Sequence, residues 1–146
     1  MSVITTDILI EGHPRDEVLT WLGNPANHGT ILNGAFGGFT EKSANEFEVS
    51  IKGGIRTRPM GYRFEKVDEE HGGRRVHVSI SGKRTNGKLH YSLRTMKPAA
   101  NTLVTLHCDF DPGGPGIGML AELLGLRDNL EGGFKKVLEN LKRELG

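Results

Sequence analysis

Six consecutive segments with a two-residue hydrophobic period occupy the middle of the chain, and this pattern restricts the fold more than any other feature. In each segment apolar and polar residues alternate, as expected for a strand with one buried face, and clusters of turn-forming residues separate the segments. Such a succession predicts an antiparallel meander. The predicted strands are Phe36 to Lys42, Glu46 to Lys52, Pro59 to Glu69, Arg74 to Lys83, Lys88 to Lys97 and Thr102 to Asp111.

Asn86-Gly87 is the strongest turn signal among the connections, because a two-residue type I′ turn needs positive φ at both positions and this dipeptide tolerates it best. A turn there places Ile80 opposite Leu93 and assigns alternate residues to an inner face. The inner-face residues of this hairpin are then Val78, Ile80, Tyr91, Leu93 and Thr95. Carried across the next loop, the register pairs Leu93 with Leu106 and Tyr91 with Cys108 inside, and His90 with Asp109 and Ser92 with His107 outside.

Helices are predicted on both sides of this meander. A strand from Ile4 to Glu11 precedes a short helix that opens with Pro14 at its first position and ends at Leu22, before Gly23-Asn24-Pro25. A second short helix is predicted from Ala26 to Leu32.

The C-terminal segment predicts one long amphipathic helix, because its apolar residues recur at i, i+3, i+4 and i+7 and its opposite side is charged. Adjacent glycines, Gly132-Gly133, suggest a bend in this helix. The apolar stripe consists of Leu120, Leu123, Leu124, Leu130, Phe134, Val137, Leu138, Leu141 and Leu145.

A G-x-G-x-x-A motif, from Gly116 to Ala121, precedes this helix and has the local pattern of a dinucleotide-binding turn. A dinucleotide site also needs a second parallel strand after the helix, with an acidic residue near its end. The predicted helix runs to the last residue, so this context is missing. We therefore interpret the glycines from Gly113 to Gly116 as a sharp reversal between the last strand and the helix.

Composition limits the classes of partner. The 146 residues suit one domain, residues 1–146, and basic and acidic residues nearly cancel, 19 against 18, so nucleic acid is not an expected partner. The lone cysteine, Cys108, cannot form an internal disulfide, and no His/Cys spacing resembles a zinc site. Without a signal-peptide pattern or an apolar run of roughly 20 residues, we expect a cytoplasmic protein with no membrane span, no metal and no cofactor.

The order of elements is a strand, two short helices, six more antiparallel strands and a long C-terminal helix. The opening ILIEGHPRDEVLTWLGNPANH and the ending VTLHCDFDPGGPGIGMLAELL carry a resemblance to the START-related SRPBCC superfamily of polyketide cyclases, lipid-transfer proteins and the birch-pollen allergen. Two residues depart from its usual pattern, His13 in place of alanine and Asn24 in place of aspartate. The middle, GYRFEKVDEEHGG with ISGKRTNGKLHYSL, looks more distantly like the carbon monoxide dehydrogenase G subgroup of that superfamily.

This resemblance implies an α+β helix-grip fold, in which a curved seven-stranded antiparallel sheet wraps around the C-terminal helix, with two short helices after strand 1. The space between the sheet and the helix is then a packed core or a cavity for an apolar ligand. The predicted ligand-binding residues are Trp21, Phe47, Met60, Tyr62, Phe64, Val78, Ile80, Tyr91, Leu93, Thr95, Leu106, Cys108, Leu120, Leu124 and Phe134. Further candidates for the lining are Phe36, Val49, Ile51, Phe110 and Leu130.

Catalysis in such a cavity requires an acid or base that faces inward, and the predicted register places none there. His28 is the one candidate base, acting with Tyr62 or Tyr91, although a helix histidine is more often exposed. The residues predicted to face outward are His77, His90, His107, Arg63 and Arg94.

Other reactive or charged groups have simpler interpretations. Cys108 is interpreted as a buried inert thiol. His90, His107 and Asp109 are interpreted as ordinary cross-strand neighbours and not as a metal site. The basic residues near the strand ends, which include Arg58 and Arg84, are interpreted as a solvated rim.

Three functions stay open at this point. The apolar inner face favours non-catalytic binding of an apolar small molecule or lipid. The resemblance to the carbon monoxide dehydrogenase G subgroup implies an accessory or assembly protein that acts on a protein partner through its sheet edge or helix. The wider superfamily implies a cyclase- or dehydratase-like enzyme.

Overall fold

The computed structural model of the chain describes residues 2–53, 55–69, 74–113 and 119–146, with the backbone alone for 119–121. The predicted turn His71-Gly72-Gly73, Gly54, and the glycines of the G-x-G-x-x-A motif lie outside the described residues. The elements are β1 (Ser2–Ile10), α1 (Arg15–Leu22), α2 (Pro25–Leu32), β2 (Gly38–Ser43), β3 (Glu46–Gly53), β4 (Arg56–Asp68), β5 (Arg75–Ser81), β6 (Asn86–Met96), β7 (Asn101–Asp111) and α3 (Met119–Leu145).

These strands form one antiparallel sheet of seven strands in the order β1-β7-β6-β5-β4-β3-β2. The long helix α3 packs chiefly against β1 and β3, on either side of the central strands, and its C-terminal half also packs against α2. Asn140 of α3 donates from Nδ2 to the Ile31 carbonyl of α2 over 3.0 Å. The predicted helix-grip fold, with its seven-stranded curved antiparallel sheet, is therefore confirmed.

The predicted pairing between β5 and β6 is wrong by six residues. Ile80 lies opposite Gly87 and not opposite Leu93, because the connection consists of the residues from Gly82 to Thr85 while Asn86 and Gly87 belong to β6. The positive φ of this connection falls on Arg84, at 75°. An even displacement keeps every side chain on its predicted face, so the apolar residues of β5 and β6 still point inward.

Gly87 is needed for a reason other than a turn. A Cβ at this position would collide with the backbone carbonyl of Asp109 on β7, so the glycine permits a close approach of two strands. The pairing of β6 with β7 is also displaced, by two residues: Leu93 lies opposite Val104, and His90 lies opposite His107. The predicted contacts of His90 with Asp109 and of Ser92 with His107 are therefore not cross-strand pairs.

The short helices end and begin as the sequence suggests, with small shifts. Pro14 occupies the N-cap position of α1 and not its first turn. Asn24 is the N-cap of α2, and its side-chain oxygen accepts from the Ala26 N–H over 3.2 Å. An asparagine thus performs the capping role that suits an aspartate at this position.

Helix α3 continues through Gly132-Gly133 without a break. A Cβ at Gly133 would collide with the ring of Phe36, which packs edge-on against Phe134 with 5.7 Å between ring centroids. This glycine therefore allows Phe36 to lie directly against the helix.

Candidate functional site

The concave face of the sheet and the facing side of α3 enclose an apolar interior. Tyr62 and Tyr91 are 1% and 0% exposed, so these two central side chains are almost completely enclosed. The predicted lining residues that are buried here are Phe47, Met60, Tyr62, Val78, Ile80, Tyr91, Leu93, Leu106, Cys108 and Phe134, and also Val49, Ile51, Phe110 and Leu130. The same core also buries four residues that were not predicted to line it: Val76, Leu89, Val104 and Leu126.

Several predicted lining residues lie elsewhere. Thr95 is exposed near the end of β6, and Leu124 is 56% exposed because it lies on the side of α3 away from Leu126 and Leu130. Trp21 is half-buried and lines a surface groove of about 500 Å³ with Leu145. The partly buried residues Phe36 and Phe64 pack against the core. The side chain of Leu120 lies outside the described part.

His28 points into the interior from α2 and is 0% exposed, so the expectation of an exposed helix histidine is wrong. Its Nε2 lies 2.7 Å from the Leu22 carbonyl oxygen, and its Nδ1 lies 2.6 Å from the Tyr62 hydroxyl. Leu22 is the last residue of α1, where helix carbonyls lack partners within the helix. His28 therefore joins the end of α1 to the centre of the sheet.

The hydrogen bonds around His28 have one consistent direction. A carbonyl oxygen only accepts, so the Nε2–H of His28 donates to Leu22 and Nδ1 is the acceptor in the neutral ring. Tyr62 then donates to Nδ1, and Tyr91 donates to the Tyr62 oxygen over 2.7 Å. We call Tyr91, Tyr62 and His28 the tyrosine–histidine chain. Every hydrogen of this chain has an acceptor, and an acceptor lone pair is left on the Tyr91 oxygen.

Burial keeps all three members of the chain neutral near pH 7. Desolvation lowers the pKa of His28 to about 4, against a smaller opposing effect of its hydrogen bond to Leu22. Desolvation also raises the pKa of Tyr62 well above its usual value and raises the pKa of Tyr91. His28 is therefore a weak base, and both tyrosines are weak acids.

A second polar group lies at the end of the interior where α3 begins. Arg58 of β4 donates from Nη2 to Glu122 Oε1 of α3 over 2.7 Å, and Arg84 Nε lies 3.9 Å from the same oxygen. The side chains of Arg58, Arg84 and Glu122 are only 13%, 18% and 21% exposed. We call these three residues the charged cluster.

The charged cluster corrects two expectations. Arg58 and Arg84 do not belong to a solvated rim, because their side chains are mostly buried against Glu122. The concave side is also not free of ionisable groups. Arg58 alternates with the inward residues Met60 and Tyr62, so the two-residue period of the strand indicates that Arg58 faces inward. Glu122 lies one turn before the buried Leu126, so the helical period indicates the same for Glu122.

Three histidines form a row across the outer face of the central strands. The ring centroids of His77 and His90 are 5.9 Å apart, and those of His90 and His107 are 5.1 Å apart. His107 Nε2 lies 3.3 Å from Asp109 Oδ2, and desolvation with the nearby Arg75 lowers the pKa of His90 to about 4. Within the described ranges no group of three or more His, Cys, Asp or Glu residues has a metal-binding arrangement.

Cys108 is buried and free. Desolvation raises the pKa of its thiol to about 12, so the thiolate is scarce at neutral pH. The predicted burial of this thiol is confirmed, and its inertness stays a prediction.

Comparison with known proteins supports this fold through structure and not through sequence. No family model matches the chain, and no curated protein matches its sequence. The Zhui aromatase/cyclase from a Streptomyces species superposes with a TM-score of 0.66 at 13% identity, covering 98% of this chain and 92% of that one.

Two further solved structures have the same architecture. A START superfamily protein from Mycobacterium smegmatis gives a TM-score of 0.61 at 10% identity, over 97% of this chain and 98% of that one. The norcoclaurine synthase from Thalictrum flavum, as a point mutant with a transition-state analogue, gives a TM-score of 0.64 at 13% identity. The superposition covers 99% of this chain and 96% of that one.

The chain therefore has the START-related helix-grip fold that its sequence resembles. Identities this low establish the fold alone. Nothing in these comparisons bears on the carbon monoxide dehydrogenase G subgroup, so that resemblance stays a prediction. Among the described helices, none has both the length and the apolarity that a bilayer crossing requires.

Proposed function

We propose that the protein binds an apolar small molecule or lipid, without chemical conversion, between the central strands and the N-terminal half of α3. The observation that carries this proposal is the way the helix is held. Helix α3 packs chiefly against the flanking strands β1 and β3, while β4, β5 and β6 face it across large buried side chains such as Met60, Tyr62 and Tyr91.

Apolar exposure at one end supports the same proposal. Ile55, in the turn between β3 and β4, is 97% exposed. The backbone of Gly53 lies in van der Waals contact with Glu122 and Leu126, so this turn adjoins the start of α3. An apolar ligand would enter between the turn and the helix, and the interior would open around it.

The tyrosine–histidine chain favours binding over catalysis. At neutral pH none of its groups is charged, and its hydrogens are already donated, either within the chain or to the Leu22 carbonyl. Such a chain can accept a hydrogen bond from a ligand at Tyr91 but is a poor source or acceptor of protons. The single buried thiol, Cys108, fits the reducing cytoplasm as the proposed compartment.

The test is a binding panel with a matched pair of variants. Native mass spectrometry before and after denaturation, and thermal shifts with fatty acids and flavonoid-like compounds, are expected to reveal a ligand. Val78→Phe fills the interior from β5, whereas Val3→Phe enlarges an exposed residue of β1. Loss of binding in the first variant alone is expected. Equal binding by both variants, each shown to be folded by circular dichroism, would contradict the proposal.

An enzyme of the cyclase or dehydratase kind is the second candidate, and one observation favours it. His28, Tyr62 and Tyr91, which the sequence analysis named for this role, are in direct contact. The test is product formation from a reactive poly-β-carbonyl substrate with the wild-type protein and with His28→Gln. A rate that falls to the uncatalysed level in the variant, with binding retained, would establish this second function.

A further inference from the structure

The charged cluster has more positive than negative charge. Two guanidinium groups share one carboxylate oxygen, and no other carboxylate in the described ranges lies within ion-pair distance of Arg58 or Arg84. The Nε atoms of both arginines are buried and have no hydrogen-bond partner among the described residues. Buried donors without acceptors are costly, so the site has unused capacity for an anion.

A neighbouring hydroxyl is also unused. Thr85 is 0% exposed, and its Oγ1 has no hydrogen-bond partner within the described structure. A side chain added at Gly82 would meet both this hydroxyl and the Pro59 carbonyl, which places Thr85 beside the residue that follows Arg58. A fully buried, unpaired hydroxyl therefore belongs to the residue after Arg84 and lies near the β4 residue that follows Arg58.

The backbone holds Arg84 in an unfavourable conformation. Its φ of 75° is in the left-handed region, which is unfavourable for an arginine and which glycine adopts without strain. Arg84 Nη1 donates to the Pro112 carbonyl over 3.2 Å, so the side chain is fixed across the end of the sheet. Strained residues of this kind are concentrated at binding sites.

We propose that the charged cluster binds the carboxylate of an amphipathic ligand whose apolar part occupies the interior. This inference rests on the proposed function, because it names the chemistry of the ligand for the same site. Arg58 and Arg84 exchange the Glu122 carboxylate for that of the ligand, which adds acceptors for the unpaired Nε–H groups. The exposed side chain of Ile55 borders this end and contacts the apolar part as it enters.

The experiment compares ligands that differ only in their head group. Decanoate, decanol and decyltrimethylammonium are titrated below their aggregation concentrations by calorimetry. Decanoate is expected to bind about tenfold more tightly than decanol, as one added charge-assisted hydrogen-bonded contact implies. Equal binding of decanoate and decanol would overturn this inference and leave the proposed function intact. Binding of none of the three would overturn the proposed function itself.

Variants then locate the head group. Arg58→Gln is expected to weaken decanoate about tenfold and to leave decanol unchanged. Arg63→Gln is the matched control, because Arg63 is on the same strand but is exposed and pairs with Glu65. Equal loss of decanoate binding in both variants would contradict the assignment.

Two further variants separate recognition from folding. Arg84→Gly is expected to fold as stably as the wild type, since glycine accepts the positive φ, yet to bind decanoate more weakly. Glu122→Gln removes the competing carboxylate and is expected to tighten decanoate binding severalfold. Weaker decanoate binding in folded Glu122→Gln would overturn the exchange of carboxylates.

Discussion

His28 makes stability depend on pH, because its imidazole has a pKa of about 4 in the folded protein and about 6.5 in the unfolded chain. As the pH falls below 6.5, the unfolded chain takes up this proton first. The contribution of neutral His28 to the free energy of unfolding is therefore complete above pH 6.5. It is lost as the pH falls toward 4, and the total loss is about 3 kcal/mol.

Urea denaturation at pH 7, 5.5 and 4 measures this loss. His28→Gln is expected to be less stable at pH 7 and to show a shallower decline toward pH 4. His90→Gln is the control for the other histidine whose pKa is lowered to about 4, and this partly buried outer-face group is expected to change the slope less. An unchanged decline in His28→Gln would show that this residue is not responsible.

The two tyrosines of the tyrosine–histidine chain should differ in their contribution to stability. Tyr62→Phe leaves the His28 Nδ1 without a donor and Tyr91 without an acceptor, whereas Tyr91→Phe removes only the donor to Tyr62. We expect losses of about 2–4 kcal/mol for the first change and about 1 kcal/mol for the second. Chemical denaturation at pH 7 measures both values. A larger loss in Tyr91→Phe would reverse the direction assigned to the hydrogen bonds.

At the level of the elements, hydrophobic periodicity predicted the strands and their inner faces, but turn chemistry misplaced the pairing. Asn86-Gly87 has the composition of a type I′ turn, yet the glycine is used for close strand approach and Arg84 takes the positive φ. The preference of a dipeptide for a turn contains no information about the Asp109 carbonyl, which lies close to Gly87 from the neighbouring strand. Both pairings are displaced by an even number of residues, so the face on which each side chain lies was still predicted correctly.

Adjacent glycines in α3 give a matched test of element packing. A Cβ added at Gly132 would meet no neighbouring atom, so Gly132→Ala is expected to stabilise the protein by about 1 kcal/mol through helix propensity. Gly133→Ala is expected to destabilise it by about 1–3 kcal/mol, because the methyl group displaces the Phe36 ring. Thermal unfolding measures both. Similar stabilisation by both changes would show that Phe36 moves without cost.

Across the whole molecule, the two halves of α3 should differ in dynamics. The C-terminal half buries Phe134, Val137, Leu138 and Leu141, and Asn140 ties it to α2. We expect amides of residues 122–129 to exchange with deuterium faster than those of residues 134–141. Added decanoate should slow the first group alone. Uniform exchange along the helix would count against entry at its N-terminal end.

The candidate site was predictable in its apolar part and not in its polar part. Alternation alone identified most of the buried lining, including Tyr62 and Tyr91. His28 comes from a short, weakly patterned helix, so its orientation depends on how α2 packs on the sheet. The ion pair between Arg58 and Glu122 joins residues 64 positions apart, and such a contact follows only from the assembled fold.

The pairing of β1 with β7 has a consequence for how the chain acquires its structure. Ser2 lies opposite Phe110 and Ile10 lies opposite Thr102, so the first strand finds its neighbour only after about a hundred intervening residues have been made. Contacts this distant in sequence slow folding, into the range of milliseconds to seconds for sheet-rich domains. On the ribosome, β1 therefore emerges long before β7. The packing of α3 against the completed sheet is then one of the last events of folding.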